Sequence, residues 1–444
     1  MINKIVACCL FLFSSFYATG QSGKNSVVLT GKLVNFSNQE EVQDLSEMQY
    51  LLPATNERII IPDADGRFRI SFKVDSPNYF RLGRIILYLS PGDSLAVVID
   101  KNRSYDGTFE GIGAEANRYL RNTPFPKGGS FLEAGRNVKK IARATIDTVL
   151  RIAEHKSAEL KAAGIADQEF IRLEQARIKA DLINSLRAGR TSYRPRISAD
   201  SLAVYTREYD SLVQPLIAKY ARNFIDTSFL KIVVYRDIAG ELIRHNAGHS
   251  MIQHFQELQQ AEKLVREMKS QSDKTVLQGY SKKINNFSVN GYRQALQQTL
   301  QQMLKFGKGD MAVDFNAIDL KGNPVSLSSL KGKVIYIDLW ATWCGPCLAE
   351  MPQFEKIKER FASNSEVAII SLSIDDSIEG WKKNVQARKA DGIQWQINRN
   401  ALNDYDIVTI PRTIIIDKDF SIVELSGPLP SSTEAGELIE RLLK

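Results

Sequence analysis

The sequence predicts a multidomain protein with an N-terminal all-β domain, a central α-helical domain and a C-terminal α/β domain. Three observations lead to this fold class. Apolar residues alternate with polar ones before residue 112, recur at spacings of three and four in the middle, and form β-branched runs next to helical patterns after residue 306. The predicted boundaries are 1–20 for a signal peptide, 21–112 for the β domain, 113–305 for the helical domain and 306–444 for the α/β domain.

The N-terminus has the layout of a secretory signal peptide. Lys4 precedes an apolar run from Ile5 to Tyr17, and small residues follow at Ala18 and Gly20. The run is shorter than the roughly 20 apolar residues of a transmembrane helix. We therefore expect cleavage before Gln21 and export to the periplasm or cell envelope. Two alternatives stay open: an uncleaved anchor, and a lipoprotein acylated at Cys8, because "IVAC" resembles an acylation box.

The β domain is predicted from strict alternation and turn residues. In "RFRISFKV", Phe68, Ile70, Phe72 and Val74 fall on one face. The stretch "RIILYLSPGDSLAVVID" predicts a strand, a tight turn and a second strand. No catalytic cluster occurs here, so a packing or docking module is expected.

The middle of the chain is predicted to be helical. Phe170, Leu173, Ala176, Ala180, Ile183 and Leu186 form one apolar helix face, and the segment 241–269 has a similar pattern. "RAGRTSYRPRIS" (187–198), with Gly189 and Pro195, is expected to interrupt the helices, and "KFGKGD" (305–310) is the predicted linker.

The positive charge of the chain belongs to this helical region. Residues 111–310 carry a formal net charge of +12, against −1 before them and −4 after them. An exported chain without an aromatic-interleaved basic strip is not expected to bind nucleic acid. The alternatives are solvated helix faces and a docking surface for acidic partners or anionic lipid, which would allow peripheral membrane contact.

Glu241, His245 and His249 are spaced i, i+4, i+8 on the predicted helix and share one face. Such a face could bind a metal, but no glutamate follows His245 as a zinc-peptidase helix requires. We expect ordinary histidines and no metal site.

Only two cysteines remain after the expected cleavage, Cys344 and Cys347. A pair three positions apart closes too small a loop to constrain much of the chain. A zinc site would need two further ligands, and the nearest histidine in sequence, His254, is far away. A redox-active dithiol is therefore the preferred interpretation, with no other cofactor.

The surroundings of the pair predict a reactive thiol. "KVIYIDLW" (333–340) predicts a buried strand, and "PCLAEMPQFEKIKERF" (346–361) predicts a helix with Pro346 in its first turn. The cysteines then lie at a helix N-terminus, where free N–H groups and the helix dipole favour a thiolate. We expect Cys344 to be the exposed nucleophile and Cys347 the buried resolving thiol.

The stretch from about Met311 to Lys444 resembles a thioredoxin-fold domain of the TlpA/ResA type, the envelope thiol-disulfide oxidoreductases. The motifs that carry the resemblance occur in order: "DFNAIDLKGNPVSLSSLKGKVIYIDLWATWCGPC", "EVAIISLSIDD" (366–376) and "VTIPRTIIIDKDFSIVEL" (408–425), with a helical insert between 376 and 400. The region "SPGDSLAVVID" followed by "FEGIGAEANRYL" resembles the small β domain that often precedes such domains.

The resemblance implies roles for six further residues. Pro411 corresponds to the family's cis-proline, and the backbone of Ile410 would bind the substrate chain. Trp343 would contribute to the substrate surface, whereas Trp340 is expected in the core. Asp338 corresponds to thioredoxin's buried aspartate, the proton acceptor for the inner thiol, and Glu350 to the active-site glutamate of ResA-like proteins. Which carboxylate relays the proton stays open.

The expected function is reduction of protein disulfides by dithiol–disulfide exchange. Gly345-Pro346 between the cysteines, as in reducing thioredoxins, favours a reductant. The implied partners are disulfide-bearing envelope proteins and a membrane thiol-reducing electron donor.

Other functions are weighed against this one. An oxidase or isomerase would use the same exchange. A thiol peroxidase of the related peroxiredoxin branch would need a threonine three residues before the cysteine, where this chain has Ala341. A scaffold protein would use the dithiol only as a redox switch.

Overall fold

The computed structural model describes residues 25–444 except 37–38, 54, 56, 104–106, 122–129, 193–198, 376, 406 and 408. The predicted signal peptide lies outside the described residues. Among those that are described, none of the helices is both long and apolar enough to cross a membrane.

The N-terminal part is rich in strands, as predicted. One sheet has the order β5-β1-β8-β9, another has the order β3-β6-β7, and β2 pairs with β4. The strands are β1 (Ser26–Val34), β2 (Glu40–Glu41), β3 (Gln43–Asp44), β4 (Ile59–Ile60), β5 (Arg67–Lys73), β6 (Asn78–Leu82), β7 (Ile85–Leu89), β8 (Ser94–Asp100) and β9 (Thr108–Ile112).

The two strands predicted on either side of "SPGD" are present, but they belong to different sheets. β7 pairs with β6, whereas β8 pairs in parallel with β1. The turn between them therefore carries the chain from one sheet to the next instead of closing a hairpin.

The central part is helical, which confirms the predicted class. The helices are α1 (Ala114–Leu120), α2 (Ala142–Ala162), α3 (Gln168–Ser192), α4 (Ala199–Ala221), α5 (Val233–Asp237), α6 (Ala239–His245), α7 (Ile252–Lys269), α8 (Lys274–Asn285) and α9 (Asn290–Lys305). The apolar face predicted between Phe170 and Leu186 is buried in the core of this region.

The interruption predicted within 187–198 is confirmed, since α3 ends at Ser192 and α4 begins at Ala199. Gly189 itself lies inside α3, where the missing side chain leaves room for Tyr209, whose hydroxyl donates to the Leu186 carbonyl at 2.8 Å. One detail of the helical prediction is wrong, because the segment 241–269 is not one helix. α6 ends at His245 and α7 begins at Ile252, so His249 is not on the helix that carries Glu241 and His245.

The β and helical regions share one hydrophobic core, which contains side chains from β6 and β7 as well as from the helices. A buried polar contact lies within this core. The hydroxyl of Tyr79 donates to Glu174 on α3 at 2.7 Å, and Arg177 pairs with both Glu174 and Asp181. Because the guanidinium of Arg177 pairs with both carboxylates, these charges can be buried together.

The C-terminal part has the thioredoxin fold. Its sheet has the order β11-β10-β14-β13-β12-β15-β16, with β12 parallel to β13 and antiparallel to β15. Its elements are β10 (Asn316–Asp319), β11 (Pro324–Ser326), β12 (Val334–Trp340), α10 (Gly345–Phe361), β13 (Val367–Ser373), α11 (Ile378–Arg388), β14 (Ile393–Gln396), β15 (Arg412–Ile416), β16 (Ile422–Glu424) and α12 (Thr433–Leu443).

The two faces of this sheet have separate cores. Val334 and Tyr336 of β12 pack with Phe354 and Ile357 of α10 and with α12. Ile335, Ile337, Leu339 and Trp340 of β12 pack in the other cluster, which also receives Trp381 from α11. Alternation along β12 from Val334 to Leu339 thus decides which side chains lie beneath the helix that follows the cysteine turn.

The predicted linker contacts both of its neighbours. Ser272 lies between α7 and α8. Its hydroxyl accepts from the Leu425 N–H at 2.9 Å, and its backbone carbonyl accepts from the Lys308 N–H of the linker at 3.0 Å. Lys274 pairs with Asp310. The thioredoxin-fold part is therefore held against the helical part by buried as well as exposed contacts.

Candidate functional site

The two cysteines lie where β12 gives way to α10. The structure has Cys344 and Cys347 joined as a disulfide, with Cys344 capping the helix. The N–H of Cys347 donates to Sγ of Cys344 at 3.2 Å. Helix N-termini stabilise negative charge, so this geometry favours a thiolate on Cys344 once the disulfide is reduced.

The exposure of the two cysteines is more similar than the sequence analysis predicts. In the disulfide state Cys344 is 5% exposed and Cys347 is 1% exposed. Trp343 instead provides the open surface, since it is 65% exposed. Trp340 is fully buried in the core, as predicted.

A buried carboxylate that the sequence analysis did not identify holds the turn before Cys344. Asp375 accepts from the N–H of Thr342 at 2.9 Å and from its hydroxyl at 2.7 Å. The hydroxyl of Ser373 donates to the Asp375 carboxylate at 2.8 Å, and the side-chain amide of Gln396 donates to the backbone carbonyl of Asp375 at 2.7 Å. An aspartate at the end of a buried strand was the available signal, but its partner is distant in sequence.

Asp338 lies on β12, on the face of the sheet that packs against α10. It is 1% exposed, and neither carboxylate oxygen has a hydrogen-bond partner among the described residues. Burial raises the pKa of Asp338 to about 7, with a further increase from Glu350 and an opposing effect of Arg388. A carboxyl with this pKa can take up and release a proton near neutral pH.

Glu350 is on the first turns of α10, but its carboxylate is already engaged. One oxygen accepts from the Ser431 N–H at 2.8 Å and the other from the Ser431 hydroxyl at 2.9 Å. These contacts join α10 to the segment before α12. The carboxylate of Glu350 therefore has hydrogen-bond partners, whereas that of Asp338 has none among the described residues.

Arg388, at the end of α11, is a second residue that the sequence analysis did not identify. Its guanidinium lies over the ring of Trp340, 4.6 Å from the centroid, and its Nε donates to Asn384 at 2.8 Å. Burial lowers the pKa of Arg388, and the carboxylates of Glu355 and Asp338 oppose that effect. The insert helix thus places a cation near the buried carboxyl.

The proline loop has the form that the resemblance implies. The peptide bond between Ile410 and Pro411 is cis. Ile410 packs against the hydrophobic cluster that contains both cysteines. The structure therefore brings Asp338, the cysteine pair and Ile410 to one region of the C-terminal part.

The histidine cluster is a separate matter. Nε2 of His245 lies 3.6 Å from a carboxylate oxygen of Glu241. Among the residues described, no group of three or more His, Cys, Asp or Glu side chains is placed to hold a metal ion.

Comparison with known proteins gives consistent relatives. Residues 308–425 match the AhpC/TSA family. The thioredoxin-like protein YneN of Bacillus subtilis is 34% identical over 116 residues, which cover 25% of this chain and 66% of that protein. The thiol-disulfide oxidoreductase ResA of Bacillus anthracis is 30% identical over 120 residues, 26% of this chain and 67% of that protein. The chain thus spans about two thirds of the length of these curated relatives.

A similar protein has also been solved. A crystal structure of a candidate thiol-disulfide oxidoreductase from Bacteroides vulgatus is 42% identical and covers 30% of this chain and 96% of that chain, with a TM-score of 0.30. The family match lies in the C-terminal part of the chain.

Proposed function

Because the chain belongs, through its C-terminal domain, to the ResA-like thiol-disulfide oxidoreductases, we propose that it reduces protein disulfides in the cell envelope. The oxidoreductase chemistry comes with the family. The direction of electron flow, the compartment and the protein substrates are the proposal. We further propose a membrane thiol-reducing system as the electron donor, since an exported reductant must be re-reduced after each turnover.

The observation that carries the proposal is the cysteine pair at the start of α10, in the turn that follows the strand bearing the buried Asp338. Cys344 caps α10 and accepts from the N–H of Cys347, which supports a low thiol pKa. Asp338 is buried on the α10 side of the sheet and has a pKa raised to about 7. A stabilised nucleophile and a nearby proton acceptor are the two groups that this exchange needs.

The exchange proceeds in two steps. The Cys344 thiolate attacks a substrate disulfide, forms a mixed disulfide and releases one substrate thiolate. Cys347 gives its proton to Asp338 and attacks Sγ of Cys344, which re-forms the Cys344–Cys347 disulfide and releases the second substrate thiolate. Two electrons pass to the substrate, and its two thiolates take up protons. Glu350 is bound to Ser431, so we assign the proton acceptor to Asp338.

Three residues form the proposed substrate surface. The exposed ring of Trp343 would pack against the substrate chain. The backbone of Ile410, beside the cis bond to Pro411, would pair with that chain as an added strand. The net charge of the helical domain would favour acidic partners or anionic lipid.

The reduction potential of the Cys344–Cys347 couple tests the direction. The mature chain is equilibrated in thiol/disulfide buffers, and its free thiols are counted by mass. We expect a value near or below about −250 mV, close to that of thioredoxin. A value above about −150 mV would contradict the reductant and indicate an oxidase or isomerase. A pair that does not cycle would favour the scaffold function.

A thiol peroxidase is a second candidate, because the family match is to AhpC/TSA. The hydroxyl of Thr342, two residues before Cys344, donates to Asp375 at 2.7 Å, and Ala341 occupies the position of the peroxidase threonine. We therefore expect little turnover of hydrogen peroxide with reduced protein. Peroxide consumption faster than protein-disulfide reduction would reverse this assignment.

A further inference from the structure

A row of polar side chains crosses the sheet beneath α10. Asp338 on β12 lies opposite Ser371 on β13, and Ser371 lies opposite Gln394 on β14. Opposite residues on adjacent strands project to the same face, and this face is the one on which Tyr336 packs against α10. All three polar residues are buried, yet they occur in the centre of an apolar domain.

The side-chain oxygen atoms of this row are unsatisfied within the described part of the chain. Both carboxylate oxygens of Asp338, the hydroxyl of Ser371 and Oε1 of Gln394 have no hydrogen-bond partner there. Buried groups of this kind are normally satisfied by ordered water. Adjacent strands lie about 4.8 Å apart, a distance that one water molecule bridges between two oxygen atoms.

The next row of the same face behaves differently. Ser373 donates to the Asp375 carboxylate at 2.8 Å, and Gln396 donates to the Asp375 carbonyl at 2.7 Å. That row is satisfied by protein groups and serves to hold the turn before Cys344. Of these two rows, only the one that includes Asp338 therefore has side-chain oxygen atoms without a hydrogen-bond partner among the described residues.

The row has an end at the protein surface. Nε2 of Gln394 donates to the Asp391 carbonyl at 2.8 Å. The side chain of Asp391 is 81% exposed and pairs with Lys358 on α10. Lys358 lies about 20 Å along the helix axis from Cys344. This end of the row is thus far from the surface where we place the substrate.

Charged and titratable groups reach Asp338 from each element that packs around it. Glu350 comes from α10, Arg388 from α11 and Tyr336 from the same strand. From β15, Thr413 lies opposite Asp338, but its hydroxyl donates to the Pro428 carbonyl at 3.2 Å. The row therefore continues from Asp338 only toward β13 and β14.

We propose that Asp338, Ser371 and Gln394 form a proton route that connects the resolving thiol to solvent at Asp391. The route rests on the proposed function, in which Asp338 receives the proton of Cys347. The carboxylic acid then passes this proton through bridging water and the Ser371 hydroxyl to water at Gln394, and from there to solvent. Asp338 returns to the carboxylate, and no electrons move along the route. Ser371 and Gln394 are positioning residues for this transfer.

The route predicts that one step of the exchange depends on Ser371 and Gln394 while the other does not. Reduced full-length protein is mixed with 5,5′-dithiobis(2-nitrobenzoate) in a stopped-flow instrument. The first release of thionitrobenzoate reports attack by Cys344, and the second reports resolution by Cys347. We expect Ser371→Ala and Gln394→Leu to slow the second phase about tenfold at pH 7, a small part of what a proton acceptor contributes, and to leave the first phase unchanged.

The pH profile and the controls separate this effect from a structural one. The difference should vanish at high pH, where hydroxide removes the proton, and the solvent isotope effect on the second phase should change. Ser371→Thr and Gln394→Glu keep polar groups and should restore the rate. Thr413→Val, equally close to Asp338, should have no effect.

Each result decides between the proposals. An unchanged second phase in both variants, or an equal loss in Thr413→Val, would overturn the route while leaving the exchange chemistry intact. Should Gln394→Leu not fold, Ser371→Ala gives the same test with a smaller change. Absence of a second phase in the wild-type protein would instead contradict the proposed function.

Discussion

At the scale of single residues, the buried carboxyl of Asp338 makes stability depend on pH. Its pKa is raised from 3.8 to about 7 in the folded protein. A raised pKa means that the folded state binds the proton more tightly than the unfolded state. The associated stability is complete below pH 4 and is lost as the pH rises through 7.

Replacing this carboxyl should therefore stabilise the protein only where it is ionised. We expect Asp338→Asn to raise the free energy of unfolding at pH 8 by up to about 4 kcal/mol and to change it little at pH 4. Urea denaturation of the oxidised protein at both pH values measures this. An equal gain at both pH values would mean that Asp338 is not the titrating group.

Substitution of Thr342 should destabilise the protein, because the Thr342 hydroxyl donates a hydrogen bond to the buried carboxylate of Asp375. Thr342→Val removes the hydroxyl that donates to Asp375 at 2.7 Å and should cost about 1–3 kcal/mol of stability. Thr342→Ser keeps the hydroxyl and should lose much less. Chemical denaturation of the three proteins compares them, and similar losses in Val and Ser variants would contradict this role.

At the scale of elements, α3 and α4 approach each other closely at one glycine. A Cβ atom on Gly189 would lie 2.1 Å from the hydroxyl oxygen of Tyr209. The tyrosine cannot move away without losing its bond to the Leu186 carbonyl. The close packing of α3 against α4 therefore requires a residue without a side chain at position 189.

Gly189→Ala should accordingly destabilise the protein by about 1–3 kcal/mol through overpacking, despite alanine's better helix propensity. Gly240, in α6, has nothing within 4 Å of the same position, so Gly240→Ala is the matched control and should be neutral or stabilising. Thermal unfolding of both variants measures the difference. A stabilised Gly189→Ala protein would show that α4 can shift at little cost.

At the scale of the whole molecule, Ser272 joins the helical and thioredoxin-fold parts. It is buried and binds one backbone group from each of Lys308 and Leu425. Loss of its hydroxyl leaves the Leu425 N–H without that partner. The two parts should then separate more often.

We expect Ser272→Ala to increase hydrogen exchange and protease cleavage between residues 305 and 312, with a loss of about 1–3 kcal/mol. Ser270→Ala removes an exposed hydroxyl from the same helix end and should leave this region protected. If residues 305–312 are equally protected from exchange and cleavage in both variants, the Lys274–Asp310 ion pair and the backbone bonds of the linker are enough to hold the two parts together.

The sequence predicts local features of the site well and long-range ones poorly. The strand β12, the helix α10 and the position of the cysteines at its start follow from periodicity and from Pro346. Asp375 and Arg388 could not be assigned, because their partners Thr342 and Trp340 are distant along the chain. The row through Ser371 and Gln394 depends on the register of parallel strands, which a local pattern does not specify.

The same limit explains what the sequence pattern misses in the helical part. The interruption predicted within 187–198 follows Ser192, whereas Gly189 lies inside α3 and packs against Tyr209. The histidine face assumed one helix across residues 246–251, where α6 has already ended. Tertiary packing decides both outcomes.

The segment after α9 has a consequence for how the C-terminal part can be handled in isolation. Gly309 and Asp310 pair through their backbones with Ile422 of β16, the last strand of the sheet. Edge strands with free N–H and C=O groups recruit other chains. A fragment that begins at Met311 would expose this edge and should self-associate. A fragment that begins at Phe306 would retain Gly309 and Asp310, which pair with β16 and cover the edge.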